Sequence, residues 1–283
     1  MKNWISICLL GISFVLTGTA AGVERVEETY RAKEGKVLEI FLDVDAGEVW
    51  VKRCADDREG RLFMEFTRDE FRPVFDFNED RGRLRVALKK GSWTRFRRNG
   101  KDQKAKVTLE IPAGVDVMMD SRIKAGEVNM RMGGIRLLEF SLTVWAGEVK
   151  VSFDEPNPVT MSRLYLKARV GESRFLSLGN ARFERADISG GIGELEADFS
   201  GALEEECRAR VNLNIGESHV ILPVNTGIQM KIGGMGFLSQ KSIDPFLYER
   251  GGIYYNDDYD EKTGRFYIRI SPGLGALRVT AAE

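Results

Sequence analysis

Apolar and polar residues alternate along most of this chain. Leu84, Val86 and Leu88 form one such run, Val107, Leu109 and Ile111 a second, and Val115, Val117 and Met119 a third. A period of two puts every second side chain on one face, the pattern of a half-buried strand. Cys207, Ala209, Val211, Leu213 and Ile215 continue it. Helical spacing is nearly absent. The alternation predicts an all-β protein.

A longer period is written over this one. Gly-Glu pairs fall at Gly47, Gly126, Gly147, Gly171, Gly193 and Gly216, and from Gly126 the intervals are 21, 24, 22 and 23 residues. A fixed period of this size predicts a solenoid, in which each coil buries its apolar face only against its neighbours. An apolar residue precedes each glycine (Ala46, Ala125, Ala146, Val170, Ile192, Ile215) and is expected to point inward. After each glutamate, the first and third positions are small or apolar, as in Val149 and Val151, Ser173 and Phe175, Leu195 and Ala197, or Ser218 and Val220. The alternation slips by one residue at each pair, which is what a bulge or sharp bend does, and glycine tolerates the positive φ such a bend needs. Each "AGEV"-like stretch therefore reads as one corner, with its glutamate in water. Coils stacked at about 4.8 Å would place Glu127, Glu148, Glu172, Glu194 and Glu217 in one file. Neighbouring carboxylates there repel by somewhat under ~1 kcal/mol in water, which a solvated edge tolerates.

Residues 22–106 precede the regular coils as an N-terminal β region of the same domain, and 107–283 form the solenoid. Within the first part, the stretch from Asp56 to Lys106 is irregular; within the second, the tail from Lys231 loses the period and then returns to strands in "RFYIRISPGLGALRV".

The first 21 residues change the picture of where the chain works. Lys2, the apolar run Ile5 to Val15 and the small residues "TGTAAG" have the layout of a secretory signal peptide cleaved near Ala20 or Ala21. Export makes a disulfide chemically accessible, yet Cys54 and Cys207 alone are no framework, and Cys207 falls on an apolar strand face. Two free thiols are expected. Acidic and basic residues nearly balance, with a net charge of −1, so charge gives no reason to expect nucleic acid.

Candidate chemistry is sparse. His219 is the one histidine, and its neighbour Ser218 points to the opposite strand face, so the two cannot share a proton. "NDDYDE" (Asn256 to Glu261) lacks the glycine and distal glutamate of a calcium loop and reads as a hairpin tip with Thr263-Gly264 in the turn. "SGGIGE" and "GGMGF" open no helix that could hold phosphate, and read as coil corners. Asp187, Glu194, Glu196, Asp198 and Glu204 to Glu206 are close in sequence, the raw material of a carbohydrate-active site, but no acid–base pair is marked among them. No catalytic residue, metal site or cofactor is expected. One segment, "KKGSWTRFRRNGKDQKAK" from Lys89 to Lys106, concentrates positive charge with aromatic rings and reads as a long hairpin loop. Within it Trp93, Arg95, Phe96, Arg97, Arg98 and Lys101 form a candidate patch for anionic polymers or phospholipid head groups.

The run from "LSLGNARFERADISGGIGELEADF" through "NIGESHVILPVNTGIQMKI" resembles the bacterial toast-rack or putative adhesin family, related to the C-terminal domain of LiaF-like envelope-stress proteins. The resemblance rests on the glycine corners, on Leu222-Pro223 followed by Gly227-Ile228, on the closing stretch Ile268 to Val279 with Gly273 and Gly275, and on "VTLEIPAGVDVMM" as the lead-in. It implies a right-handed, β-helix-like stack of short strands and no enzymatic activity. LiaF-like proteins carry N-terminal membrane helices, whereas this chain has the signal-peptide layout. The expectation is an exported, non-catalytic envelope module, periplasmic or on the cell surface, whose partner is an envelope polymer, the membrane surface or an envelope protein. The rivals are a polysaccharide-acting enzyme using coil-face carboxylates and a structural partner that pairs through its end strands.

Overall fold

The computed structural model describes residues 22–91, 105–203, 205–233, 238–257, 259–262 and 264–282. Seventeen strands occur among them: β1 (Val23–Arg31), β2 (Leu38–Val44), β3 (Gly47–Arg53), β4 (Glu59–Thr67), β5 (Phe71–Asn78), β6 (Arg83–Lys90), β7 (Ala105–Ile111), β8 (Val117–Arg131), β9 (Leu137–Ser152), β10 (Met161–Leu176), β11 (Phe183–Asp198), β12 (Cys207–Leu222), β13 (Gly227–Ile232), β14 (Leu238–Ile243), β15 (Leu247–Arg250), β16 (Ile253–Asn256) and β17 (Arg265–Ala281). The fold is an all-β solenoid.

The long strands β8 to β12 and β17 are each bent once, at a glycine, so that one half lies on side one of the stack and the other half on side two. They pair in parallel, and β2 with β3 forms an equivalent rung on β8. Register places Gly47 beside Gly126, Gly126 beside Gly147, Gly171 beside Gly193, Gly193 beside Gly216 and Gly216 beside Gly275. Their φ values lie between 122° and 141°, and from Gly126 onward an added Cβ would come within 1.8–2.1 Å of the carbonyl oxygen of the previous corner glycine. Glycine is required here for two reasons at once: the dihedral, and the backbone passing directly beneath.

The inward residues after each corner are those the pattern predicted; Val149, Val151, Ser173, Phe175, Leu195, Ala197, Ser218 and Val220 are all buried. Ala46 is half-buried against the core, but in β10, β11, β12 and β17 the residue before the glycine faces outward. Val170, Ile192, Ile215 and Leu274 are 45–52% exposed. The last inward residue lies further back, at Val144 or Ala168, and four residues span the outside of the bend before the next inward one at Val149 or Ser173. At these corners the bend is wider than the alternation suggests, because both residues flanking the glycine turn to solvent.

Spatial order departs from chain order at both ends. The chain leaves β3, makes β4 to β7, and only then begins β8. Within that insertion β6 stacks on β2 and β7 stacks on β3, so the two strands are the halves of another rung. They are therefore not a hairpin, which corrects the reading of the segment between them. Strands β5 and β4 then lie antiparallel on β6 and β7, and β1 on β4. At the other end β13 and β14 stack on the two halves of β17, with β16 and β15 beyond β13. The hairpin here joins β15 to β16 through Gly251 and Gly252. "NDDYDE" falls between β16 and β17, which each pair with β13, so these strands are not the two arms of a hairpin.

One apolar cluster runs from Val26 to Val279. Return loops close each coil and add large side chains to it: Phe153, Leu178, Phe199 and Leu203 are buried. Phe199 lies 5.0 Å from Phe266 and 6.3 Å from Phe183, ring centre to ring centre. Asparagines tie these loops to one another. Asn157, fully buried, donates to the carbonyls of Leu137 (2.9 Å) and Ala181 (3.2 Å) and accepts from the Leu137 amide (3.1 Å). Asn180 donates to Phe153 (2.9 Å) and accepts from Ala202 (3.1 Å). Both side chains bridge loops of successive coils, satisfying backbone groups that the strand ladders leave unpaired.

The free edges of β5 and β1 are protected. Pro73, opposite Leu88 in β5, has no N–H to offer a further strand. In β1 the inward position between Val26 and Tyr30 is Glu28, buried at 7% exposure. Burial holds its carboxyl above the ordinary range. An inward charge on an outer strand opposes edge-to-edge pairing.

Candidate binding surfaces

Stacking turns each sequence position of the repeat into a row. Glu48, Glu127, Glu148, Glu172, Glu194 and Glu217 stand side by side on the outer face of side two, as expected of the corner glutamates. The file ends at Ala276 in β17. Lys106 neutralises its first member at 3.4 Å, and Arg174 approaches Glu172 at 4.0 Å. On the other flank of the glycines runs an aliphatic row, Val170, Ile192, Ile215 and Leu274. No group of three or more metal-ligating side chains occurs among the described residues.

A second kind of row lies on the outer face of side one. Eight positions before the corner glycines of β10, β11, β12 and β17 stand Arg163, Arg185, Arg208 and Tyr267, and these are in register. The row continues through Gln229 of β13 and Tyr255 of β16 to Tyr248 of β15. Seven adjacent strands contribute one residue each, a track about 29 Å long at the usual strand spacing. Two positions further along the strands, Arg210, Arg269 and Lys231 form a parallel basic row.

The aromatic end of the track is knitted together. Tyr248 and Tyr255 stack at 6.0 Å, and Tyr259 meets the Tyr255 ring edge-on at 5.3 Å. Tyr259 also shares a hydrogen bond with Tyr267; burial and that bond push its phenol up to about 12. Arg265 lies over the Tyr259 ring at 4.9 Å while its guanidinium donates to the carbonyls of Asp260, Lys262 and Gly264. Arg208 lies over Tyr267 and Arg163 over Tyr165, each at 5.5 Å. Carboxylates are few at the basic end. Asp187 is 4.0 Å from Arg163 and 3.9 Å from Arg210, Glu206 is 2.7 Å from Arg208, and Glu139 stands next to Arg163 in the row. Arg185, Arg269 and Lys231 have no ion-pair partner among the described residues.

This track was missed in sequence because attention went to local charge density. Its arginines are 22 and 23 residues apart; the signal was their constant offset from the corner glycine.

The other candidates are placed as follows. Trp93, Arg95, Phe96, Arg97, Arg98 and Lys101 lie outside the described residues, as does most of "GGMGF". "SGGIGE" is a corner, at Gly193. His219 accepts from or donates to the Thr280 hydroxyl at 2.9 Å on the outer face, while Ser218 is buried. The acidic cluster of β11 does not converge: Asp187 faces out from side one, Glu194 and Glu196 from side two, and Asp198 holds the Ser200 amide at 2.8 Å and the Ser177 amide at 3.1 Å. Cys54 and Cys207 are both free and buried. Burial, helped by Glu206 and Glu205, pushes the Cys207 thiol up to about 12. Cys54 sits at the wall of a shallow depression of about 520 Å³ with Lys52, Arg61 and Glu110, and Lys52 holds the Glu110 carboxylate at 2.9 Å. No described helix is long and apolar enough to cross a membrane.

A stack of parallel, glycine-cornered rungs with rows of like residues on its outer faces defines an all-β solenoid with repetitive surfaces. Residues 20–162 match the family described as the N-terminal domain of toast-rack, DUF2154. This chain belongs to the toast-rack family. The matched stretch shares only residues 107–162 with the run of motifs that carried the resemblance, so it adds the N-terminal rungs. Among solved structures, a putative cell adhesion protein from Clostridium sporogenes ATCC 15579 is similar at 13% identity over 91% of this chain and 100% of that one, with a TM-score of 0.47. A putative adhesin from Bacteroides fragilis NCTC 9343 shares 14% identity over 90% and 96%, with a TM-score of 0.35. No curated protein matches the chain.

Proposed function

We infer that this protein is exported and serves the cell envelope, in the periplasm or at the surface, as a non-catalytic binding or scaffold module. The observation that carries this reading is the periodic outer surface. Corner glutamates, aliphatic residues and arginines recur once per rung over several rungs, which suits an extended partner better than a small substrate. An acid–base mechanism needs two groups converging on one bond, whereas the carboxylates of β11 are spread over two sides or held by backbone amides. The signal-peptide layout of the first 21 residues supports export.

Cell fractionation with an N-terminal sequence of the recovered protein tests export. The expected result is envelope or extracellular protein beginning near Ala21 or Gly22; cytoplasmic protein retaining Met1 would refute it. The basic segment Trp93 to Lys101 is proposed as a contact to anionic envelope material. Serine at Arg95, Arg97 and Arg98 together should abolish low-salt pelleting with cell-wall material or anionic liposomes, and unchanged pelleting would remove that segment from the interface.

A further inference from the structure

We propose that the outer face of side one binds an acidic polysaccharide laid across the rungs, with its anionic groups on Arg163, Arg185 and Arg208 and a sugar ring against Tyr255 and Tyr248. The proposal deepens the envelope-binding reading by naming a ligand and a surface, and it rests on that reading.

The argument begins with a cost. Like charges directly opposite on neighbouring strands destabilise a sheet, yet this face carries two such ladders, Arg163–Arg185–Arg208 and Arg210–Arg269–Lys231, side by side. The chain as a whole has a net charge of −1, so the ladders do not follow from a basic composition. Asp187 and Glu206 offset part of this at Arg163, Arg210 and Arg208, while Arg185, Arg269 and Lys231 have no ion-pair partner among the described residues and the corner glutamates stand on the other side of the bend. A linear polyanion offsets the repulsion by placing an acidic group between successive guanidinium forks, which suit carboxylate and phosphate oxygens.

Spacing and aromatics then select the polymer. Arginines recur at about the strand separation of 4.8 Å, close to the length of one sugar residue in an extended chain, while phosphates of a duplex strand recur about every 3.4 Å along a helix that curves away from a long face. The row passes without interruption from charge to aromatic rings, and Tyr248 is 47% exposed. Fixed tyrosines bury a sugar's apolar ring face and bond its hydroxyls with little loss of side-chain freedom. Asp257, Asp260 and Glu261 flank Tyr259 in sequence, so acidic groups belong at the arginine end and an uncharged ring at the tyrosine end.

Binding of polygalacturonate oligosaccharides, measured by calorimetry on the mature full-length chain, tests the proposal. Their fully methyl-esterified form and a single-stranded oligothymidylate serve as comparisons. Polygalacturonate should bind at least tenfold more tightly than either. R185S/R208S should weaken it tenfold or more and flatten its salt dependence, with the far-ultraviolet circular dichroism unchanged. Y248A/Y255A should weaken it several-fold with the salt dependence unchanged. Absence of binding, binding of oligothymidylate as tight as polygalacturonate, or R185S/R208S binding like wild type would each overturn the proposal. Serine at Arg95, Arg97 and Arg98 is a separate arm: loss of binding there with the track variants unaffected would leave the envelope reading standing and move the ligand off this face. Failure of export, read by fractionation, is independent of all these outcomes.

Discussion

Replacing Gly193 by alanine tests the corner directly. Two penalties add. At φ 133° an L-residue sits in a sparsely populated region, which costs about 1–3 kcal/mol. The new Cβ would also lie 2.1 Å from the Gly171 carbonyl oxygen and 2.9 Å from its carbon. The neighbouring rung must move by roughly an ångström to restore contact distance, lengthening the hydrogen bonds that flank the bend, each worth about 1 kcal/mol. The expected loss is about 3–5 kcal/mol, a large part of the ~5–15 kcal/mol typical of a folded chain. Gly35 supplies the control. It has φ 70° but nothing within 4 Å of an added Cβ, so its alanine variant should lose only the left-handed penalty of about 1–2 kcal/mol. Urea unfolding followed by far-ultraviolet circular dichroism, with all chains measured together, gives the comparison. If G193A and G35A lose the same amount, the close backbone approach does not govern the corner and the account of the repeated glycine is wrong.

Four further outcomes follow from single residues. N157A removes the side-chain donor to the Leu137 and Ala181 carbonyls, while the Leu137 amide keeps the Ile135 carbonyl; at about 1–3 kcal/mol for each group left unsatisfied, it should lower the urea midpoint more than N212A, whose side chain faces outward. Ser121 is fully buried and its hydroxyl has no partner among the described residues, so S121A should stabilise by about 1 kcal/mol, seen as a higher melting temperature. Glu28 has a folded-state pKa raised above 4.5 by burial; the fold gains from it below that ordinary value and loses as pH rises through the raised one. E28Q should therefore melt higher than wild type at pH 7, with the difference closing as the pH falls below about 4. Finally, with a thiol pKa of about 12, Cys207 should resist alkylation at pH 8 in the native state and react once the chain is unfolded, which peptide mass mapping would read.

Much of the architecture could be read from the sequence because one residue type repeated under one constraint. Only glycine accepts both the dihedral and the backbone beneath it, so every regular rung must show it, and the period appears without any structure. The inward positions after the glutamate were equally legible, since a fixed bend fixes the parity that follows it. The positions before the glycine were misread for a related reason. Val170, Ile192 and Ile215 are apolar yet exposed, and hydrophobicity predicts burial only in one direction. The binding rows were hidden differently. A surface row in a solenoid is assembled from residues a full coil apart, so Arg163, Arg185 and Arg208 look isolated in sequence, and only counting back from each glycine brings them together.

The ends were illegible because period detection assumes that rungs follow one another along the chain. A solenoid has two open ends that attract further strands, and this chain covers both by doubling back. The insertion before β8 places β6 and β7 outside the first rung, and the insertion before β17 places β13 and β14 outside the last. Each of these outer rungs is built from two strands, β6 with β7 and β13 with β14, and the segments joining them, 92–104 and 234–237, lie outside the described residues. A corner glycine is demanded where the backbone of a neighbouring rung passes directly beneath the bend. Gly47 illustrates the limit, since its added Cβ would strike Ala105 rather than another glycine. The demand for glycine therefore reaches the first rung as well, where β7 is the strand that passes beneath the bend.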